Sequence, residues 1–323
     1  MPDVKVPDWV FKTPLHGVRL LQDDQGGQLE CDGDYLETVK LIFPQHHAPI
    51  ETKSLWRLAD IAERYTSTIE LFDGPTSKLL QIECEGKGVF QYQKDSIDIV
   101  WQNEGTGFEH YLQTVGLSLW LEMRGVLCIH ANAIATDRGV IGVIAPSQTG
   151  KTTLTAALAT RGMAMMTDDM MAIHKSVDGW KVYAGWPQVR MWPQVAQHFV
   201  KNSDNLARVH SRFEKRIVDL KDQDRIRHSS KSGLLKRLYL LERLDDNDAE
   251  VVIKPVTAAE SVMSLLQNSM LADAYRPMAI EESRLIKLAL MLESVEVRRV
   301  VYPSGKEHLA RVCESIEADV KTF

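Results

Sequence analysis

Residues Ala145–Thr152 read APSQTGKT, that is, Ala, four variable residues and then Gly-Lys-Thr. In loops of this pattern consecutive backbone N–H groups point at phosphate oxygens, and Gly150 permits the turn because it has no Cβ. Lys151 brings a positive charge to the β- and γ-phosphates, and the Thr152 hydroxyl is a ligand for Mg²⁺. An apolar strand is predicted before the loop and an Ala- and Leu-rich helix after it, and the helix N-terminus also attracts anions.

This loop predicts a site for a nucleoside triphosphate and Mg²⁺. Its predicted contacts with the nucleotide are Ser147, Gln148, Thr149, Gly150, Lys151, Thr152 and Thr153. The chain has no Asn-Lys-x-Asp motif of the kind that reads guanine, so ATP is favoured over GTP. The alternative is a surface loop that happens to carry a lysine.

Two adjacent carboxylates lie a short distance further along the chain. Thr167-Asp168-Asp169 begins 16 residues after Lys151, at the end of a strand predicted at Met163–Thr167. A right-handed strand–helix–strand crossover of this length brings that strand end beside the loop. One carboxylate for Mg²⁺ and one for a hydroxyl proton are what phosphoryl transfer asks of protein acids. The alternative is that one aspartate only caps or turns the chain.

A histidine lies upstream, in the segment Leu127–Asn132 that precedes the strand before the loop. Because the two strands are expected to be neighbours, His130 could reach the carboxylate pair and tune its basicity. A lone histidine in a strand is otherwise a hydrogen-bonded core residue, and both interpretations stay open.

Basic residues downstream offer further contacts for an anion. Arg190, in the stretch Trp186–Pro193, could neutralise phosphate charge or form a surface ion pair. Residues 208–237 hold ten Lys or Arg against four Asp or Glu, which is typical of a solvated basic loop or of a surface that holds an acidic substrate. In the second case Lys215 and Arg216 are the expected contributors.

The amino-terminal third of the chain is rich in short segments of strand character, separated by turn residues. The predicted strands are Thr38–Phe43, Ser67–Phe72, Leu79–Glu83, Val89–Gln93 and Ile97–Trp101. One helix is predicted among them, near Leu55–Tyr65. We therefore expect a smaller β-rich domain over residues 1–105.

The remaining residues, 106–323, alternate between helix and strand patterns and predict a mixed α/β domain. The predicted helices are Phe108–Arg124, Thr152 to about Thr160 and Glu281–Leu292, with two more after capping boxes at Thr257–Glu260 and Ser304–Glu307. The predicted strands include Val126–Thr136, Val140–Ala145 and Val295–Tyr302, and Asp178-Gly179 forms the tip of a hairpin.

Composition narrows the class of partners. The formal charge of −6 argues against wholesale binding to nucleic acid or to an anionic membrane. No apolar stretch reaches the roughly 18 residues that a membrane span needs, and the amino terminus lacks the pattern of a secretion signal. The four cysteines form no C-x-x-C pair, so reduced thiols in the cytoplasm are expected. Homo-oligomerisation stays open.

Taken together, these motifs resemble the catalytic domain of HPr kinase/phosphorylase and its relatives, which include kinases of peptide-maturation clusters. The resemblance covers roughly residues 110–300. It rests on His130-Ala131, the loop APSQTGKTT, the pair Asp168-Asp169 and the stretch from Pro187 to Arg190. It implies a P-loop fold of the phosphoenolpyruvate-carboxykinase type and a serine kinase that uses ATP and Mg²⁺.

The resemblance also implies roles for single residues. Asp168 and Thr152 would ligate Mg²⁺, Asp169 would be the base toward the substrate hydroxyl, and His130 would assist the aspartates. The bifunctional enzymes carry a Glu-x-Arg-Gly signature, whereas this chain has Gln188 and Met191 around Arg190. Kinase activity without phosphorylase activity is therefore expected.

The acceptor hydroxyl stays open between a protein, a peptide and a small metabolite. Two other functions fit the same motifs, a nucleotide-gated binding module that transfers no phosphate and a slow ATPase coupled to a conformational switch. The intact set Lys151, Thr152, Asp168 and Asp169 favours the kinase.

Overall fold

The computed structural model describes residues 4–22, 31–46, 53–61, 66–74, 77–146, 149–201, 203–210, 213–245 and 249–323. Within these ranges the chain is a mixed α/β structure, as expected, and its strands form sheets of seven, nine and three strands. Among the described helices none is both long and apolar enough to cross a membrane.

The seven-stranded sheet is formed by the amino-terminal part of the chain. Its strands are β1 (Val18–Gln22), β2 (Glu37–Ile42), β3 (Lys53–Ile61), β4 (Thr66–Asp73), β5 (Lys78–Glu83), β6 (Lys87–Tyr92) and β7 (Ser96–Trp101). They lie in the order β1-β2-β7-β6-β5-β4-β3. The five predicted strands are therefore confirmed as β2 and β4–β7.

The predicted helix near Leu55–Tyr65 is wrong. The described part of that segment belongs to strand β3, and residues 62–65 lie outside the described part of the chain. Strand β3 is the edge of its sheet, where β4 is its one partner among the described strands, and most of its described side chains are exposed. An edge strand with little burial lacks the apolar alternation by which a strand is recognised in a sequence.

A helix with one wide turn follows the first sheet and covers its buried face. It begins as α1 (Phe108–Tyr111), passes through a π-helical turn (Leu112–Gly116) and ends as α2 (Leu117–Met123). Its apolar side chains share one core with those of β1, β2 and β4–β7. Gly125, at φ 80°, turns the chain after the helix.

The nine-stranded sheet carries the motif residues. Its strands are β8 (Leu127–Ile129), β9 (Ala131–Thr136), β10 (Gly139–Ile144), β11 (Ala164–Thr167), β12 (Met171–Ser176), β13 (Gly179–Val182), β17 (Gly233–Leu244), β18 (Val252–Pro255) and β19 (Glu296–Pro303). The main path is β11-β9-β10-β17-β13-β12-β8, and β19 pairs with both β17 and β18. Strands β10, β17 and β19 are parallel, so their carboxyl ends meet at one edge.

Helix α3 (Lys151–Thr160) connects β10 to β11, and β9 lies between these two strands, antiparallel to both. Strands β10 and β11 therefore run in the same direction. This is the crossover predicted from the spacing of the motifs, and it brings the end of β11 to the edge at which β10 ends.

The single strand predicted at Val126–Thr136 is wrong in one respect, because it is broken at His130 into β8 and β9. The two halves have different partners, since β8 pairs with β12 whereas β9 pairs with β10 and β11. At the break the backbone N–H of His130 donates to the carbonyl oxygen of Asn268, at 2.6 Å. His130 thus lies where the chain passes from one set of strand pairings to another.

A three-stranded sheet and four helices complete the described structure. The small sheet has the order β14 (Gln188–Met191), β16 (Phe213–Asp219) and β15 (Arg208–His210). The helices are α4 (Pro193–Phe199), α5 (Ala258–Gln267), α6 (Glu281–Leu292) and α7 (Leu309–Val320). Helices α3, α4 and α7 share a core with β10 and the small sheet.

The two predicted capping boxes have different outcomes. The box at Thr257 is confirmed, because its side chain accepts from the N–H of Glu260 and Glu260 reaches back to the N–H of Thr257. The box at Ser304–Glu307 is wrong. A 3₁₀ turn (Lys306–His308) begins after Gly305 without a side-chain cap, and α7 starts only at Leu309.

Candidate active site

The loop after β10 leads directly into the first turn of α3. Gly150 precedes the helix in a left-handed conformation, with φ 100°, which favours glycine at this position. The side chain of Lys151 is 8% exposed, and its ammonium makes no hydrogen bond with any described residue. The nearest carboxylate oxygen described is Oδ1 of Asp169, at 3.9 Å, which is too far for a hydrogen bond.

The ammonium of Lys151 is an unusual group to bury, because a charge taken out of water needs partners. Burial lowers its pKa, and the two nearby aspartates oppose that shift. Lys151 is therefore a desolvated cation whose donors are not used by the described residues and can serve an anion.

Asp168, at the end of β11, faces the start of α3. The Thr152 hydroxyl donates to its Oδ1 at 3.3 Å, and the backbone N–H of Arg190 donates to its Oδ2 at 2.8 Å. Burial and the neighbouring charge of Asp169 raise the pKa of Asp168 to about 6. A cation bound at Oδ1, in place of the hydrogen bond from Thr152, would stabilise the charge of this carboxylate.

The pKa of Asp169 is shifted in the opposite direction. Burial acts to raise its pKa, but Arg190 and Lys151 outweigh it and hold the pKa at about 2. The Arg190 guanidinium lies 3.4 Å from Oδ2 of Asp169. The residue also has a positive φ of 63°, which is uncommon for a side chain other than glycine and can mark a functional site.

The conformation of Asp169 is held by a residue that the sequence analysis did not single out. Asn132, in β9, is fully buried, and its Oδ1 accepts from the backbone N–H of Asp169 at 3.0 Å. Its Nδ2 donates to Oγ1 of Thr155 in α3, at 3.1 Å. A fully polar side chain two residues after His130, in an otherwise apolar strand, was the signal available in the sequence.

His130 is half-buried and lines the same cavity as Lys151 and Asp169. Burial and the charge of Lys151 lower the pKa of His130 to about 4, although Asp169 acts in the opposite direction. The imidazole is therefore neutral near pH 7.

Two basic residues of the small sheet reach the site. Arg190, on β14, forms the ion pair with Asp169, and the charge of Lys215, on β16, lowers the pKa of both Asp169 and His130. Of the two residues expected from the basic segment, Lys215 lines the cavity, whereas Arg216 is not among the described residues that line it.

These residues surround a cavity of about 920 Å³. The predicted residues in its wall are Thr149, Gly150, Lys151, Thr152, Thr153, His130, Asp169 and Arg190. Asp168 lies behind Thr152 and Arg190, to which it is hydrogen-bonded. Ser147 and Gln148 lie outside the described residues.

The residues present fit a magnesium ion bound together with a nucleotide. The described residues contain no group of three or more His, Cys, Asp or Glu that could hold a metal by itself. Mg²⁺ in nucleotide sites is held by one or two protein oxygens together with phosphates and water. Thr152 Oγ1 and Asp168 Oδ1, 3.3 Å apart, are oxygen donors of that kind.

No family model and no curated protein matches the chain. Among solved structures the chain is similar to the Hpr(Ser) kinase/phosphatase from Coxiella burnetii, with 11% identity and a TM-score of 0.32. The match covers 59% of this chain and 89% of that one. A likeness at this level transfers neither fold family nor activity, so the function has to be argued from the site.

Proposed function

We propose that this chain is a Mg²⁺-dependent kinase that transfers the γ-phosphate of ATP to a serine-type hydroxyl of a protein, peptide or small molecule. The observation that carries the proposal is the buried Lys151 ammonium, which has no hydrogen-bond partner among the described residues and lines a cavity together with Asp169, while Asp168 lies next to that cavity behind Thr152. A triphosphate would provide hydrogen-bond acceptors for this ammonium. One carboxylate would bind Mg²⁺ and the other would accept the proton of the substrate hydroxyl.

Asp168 and Thr152 are the proposed magnesium ligands. Mg²⁺ held by these two residues would neutralise charge that develops on the phosphates during transfer. Asp168 is suited to this role because its two oxygens already face donors, the Thr152 hydroxyl and the Arg190 backbone N–H. The latter hydrogen bond would keep the carboxylate oriented.

Asp169 is the proposed base toward the acceptor hydroxyl. Arg190 and Lys151 hold its carboxylate at a low pKa, so it is a weak base while both cations face it. Phosphate oxygens compete for the same two cations. Nucleotide binding would therefore weaken both contacts, raise the basicity of Asp169 and make proton transfer depend on a bound nucleotide.

Two further side chains support this assignment. Arg190 can turn from Asp169 toward phosphate, which gives it a role in neutralising the transferred group. His130, neutral near pH 7, can accept or donate a hydrogen bond beside the carboxylates without adding charge. It is a proposed assisting residue.

We propose that the reaction runs only in the kinase direction. In the bifunctional enzymes that the motifs resemble, an acid and a glycine flank the arginine, whereas Gln188 and Met191 stand in those positions here. Met191 is buried in the cavity wall, so its side chain takes up space that a glycine would leave open.

The proposal is tested by incubating the purified chain with Mg²⁺ and γ-labelled ATP in the presence of peptide pools and cell extract. Label on a serine-type hydroxyl, lost in Asp169→Asn, would support it. Label released only to water would favour the slow ATPase. Nucleotide binding with no loss of the γ-phosphate would favour the binding module.

A further inference from the structure

The cavity extends to both sides of the phosphate-binding turn, and the two sides differ in chemistry. One side holds the Asp169 carboxylate with Arg190 and Lys215, and Asp168 lies behind it. The other side lies at the carboxyl ends of β17 and β19 and at the start of α7. Its lining residues are Arg243, Tyr302, Gly305, Lys306, Leu309 and Val312, none of them acidic.

The second side is attached directly to the turn. The Tyr302 hydroxyl donates to the carbonyl oxygen of Thr149 at 2.9 Å. Arg243 and Tyr302 are in register on the parallel strands β17 and β19, so they lie next to each other at this edge. Helix α7 packs against α3, which brings Leu309 and Val312 beside the first turn of α3.

We infer that this side, formed by Arg243, Tyr302, Leu309 and Lys306, is the binding site for the nucleoside of the bound triphosphate. The inference rests on the proposed function, which requires the γ-phosphate to lie near Asp169. With that end of the triphosphate on the carboxylate side, the nucleoside extends to the opposite side. A planar, uncharged base with polar edges fits an aliphatic and aromatic wall edged by two cations.

The assignment also limits where the acceptor can enter. A hydroxyl that reaches both Asp169 and the γ-phosphate has to approach from the side of His130 and Lys215. The nucleoside and the acceptor therefore occupy opposite ends of one cavity and do not compete for space.

The experiment compares two ligands that share the phosphates but differ in the nucleoside, Mg·ATP and magnesium tripolyphosphate. Calorimetry gives both affinities for the wild type, Leu309→Ala and Arg243→Met. Leu309 is uncharged and half-buried, so its truncation should weaken ATP binding by about three- to tenfold and leave tripolyphosphate binding within about twofold. Leu290→Ala, on the exposed face of α6, is the matched control.

Arg243 is exposed, so Arg243→Met serves as a second variant that should fold normally. In both variants the ratio of ATP affinity to tripolyphosphate affinity should fall, and in Leu290→Ala it should not. An unchanged ratio in both, or a wild type that binds the two ligands equally, would overturn the nucleoside site alone. A wild type that binds neither ligand would overturn the proposed function itself.

Discussion

Asp168 and Asp169 are adjacent, identical side chains whose pKa values are shifted in opposite directions. Asp168 faces a hydroxyl and a backbone N–H, and burial raises its pKa to about 6. Asp169 faces two cations, and its pKa is held near 2 despite burial. A carboxylate whose charge is incompletely stabilised by its neighbours is suited to a metal, and one whose neighbouring cations can be drawn toward phosphate is suited to be a conditional base.

The two aspartates should therefore respond differently to the same substitution. Asp168→Asn should need more Mg²⁺ and bind Mg·ATP more weakly. Asp169→Asn should bind Mg·ATP nearly normally but transfer phosphate about 10²–10⁴-fold more slowly if it is the general base. Mg·ATP affinity and single-turnover transfer are measured for each variant. Wild-type behaviour of both would mean that the pair is structural.

Asn132 is expected to affect phosphate transfer because it positions Asp169. In Asn132→Ala the backbone N–H of Asp169 loses its acceptor, so the base should be less well oriented. We expect single-turnover transfer to fall by about ten- to a hundredfold while Mg·ATP affinity stays near that of the wild type. The matched control is Thr155→Val, which removes the other hydrogen bond of Asn132 and that from the Thr155 hydroxyl to the carbonyl oxygen of Thr152, but leaves the acceptor for Asp169 in place. Equal losses of transfer in the two variants would contradict the positioning role.

At the scale of elements, the site depends on where three strands end. Strands β10 and β11 deliver the loop and the aspartates to one edge, and β9 begins there, next to His130. This arrangement could be predicted from the sequence because the loop motif, a helix ended by Gly162 and the aspartate pair follow one another within a short crossover. Local patterns and the handedness of crossovers are sufficient for such a unit.

Other parts of the fold could not be predicted in this way, for identifiable reasons. Strand β3 has no buried face, so its sequence does not show the alternation of a strand. The break at His130 depends on the pairing of β8 with β12 and on the carbonyl oxygen of Asn268, which is far away in the chain. The role of Asn132 depends on Asp169 and Thr155, which no local pattern connects to it. Contacts between distant segments decided each of these features.

The two predicted capping boxes provide a test at this scale. Thr257→Ala removes a cap that is present, so the free energy of unfolding should fall by about 1 kcal/mol. Ser304→Ala is the matched control, because Ser304 precedes a 3₁₀ turn without a side-chain cap and its substitution should be nearly neutral. Urea denaturation of both variants is the measurement. A larger loss for Ser304→Ala would contradict the described start of α7.

At the scale of the whole molecule, buried polar groups connect the amino-terminal segments and helix α2 to helix α6 and the nine-stranded sheet. Glu122 in α2 and Arg284 in α6 are both 2% exposed at the side chain and lie 3.1 Å apart. Burial raises the pKa of Glu122 to about 7. The carbonyl oxygen of His16, just before β1, is 2.9 Å from Nε2 of His174 in β12. The two parts of the chain are thus held together by specific contacts as well as by apolar packing.

The buried histidines predict how stability depends on pH. Burial lowers the pKa of His174 to about 4 from its ordinary value of 6.5, and burial together with the charge of His174 lowers that of His16 to about 3. The unfolded chain therefore binds protons below pH 6.5 that the folded chain does not. The stability due to neutral histidines is complete above pH 6.5 and is lost as the pH falls toward 4.

Urea denaturation at pH 6 and pH 5 tests this expectation. The wild type should lose stability on acidification, and His174→Gln, which keeps a donor for the carbonyl of His16, should lose about 1 kcal/mol less per pH unit. His198→Gln, at an exposed site on α4, is the matched control and should behave like the wild type. The same pH dependence in His174→Gln and the wild type would contradict the burial of a neutral imidazole.

The central claim is that the buried ammonium of Lys151 binds the phosphates of a nucleotide. It is tested most directly by calorimetry with Mg·ATP on the wild type, on Lys151→Ala and on the exposed-site control Lys175→Ala. The loss of one charged hydrogen bond corresponds to about 1.5–3 kcal/mol, or roughly 10- to 100-fold in affinity. We predict that loss for Lys151→Ala and wild-type affinity for Lys175→Ala. Unchanged Mg·ATP affinity in a folded Lys151→Ala variant would contradict the account.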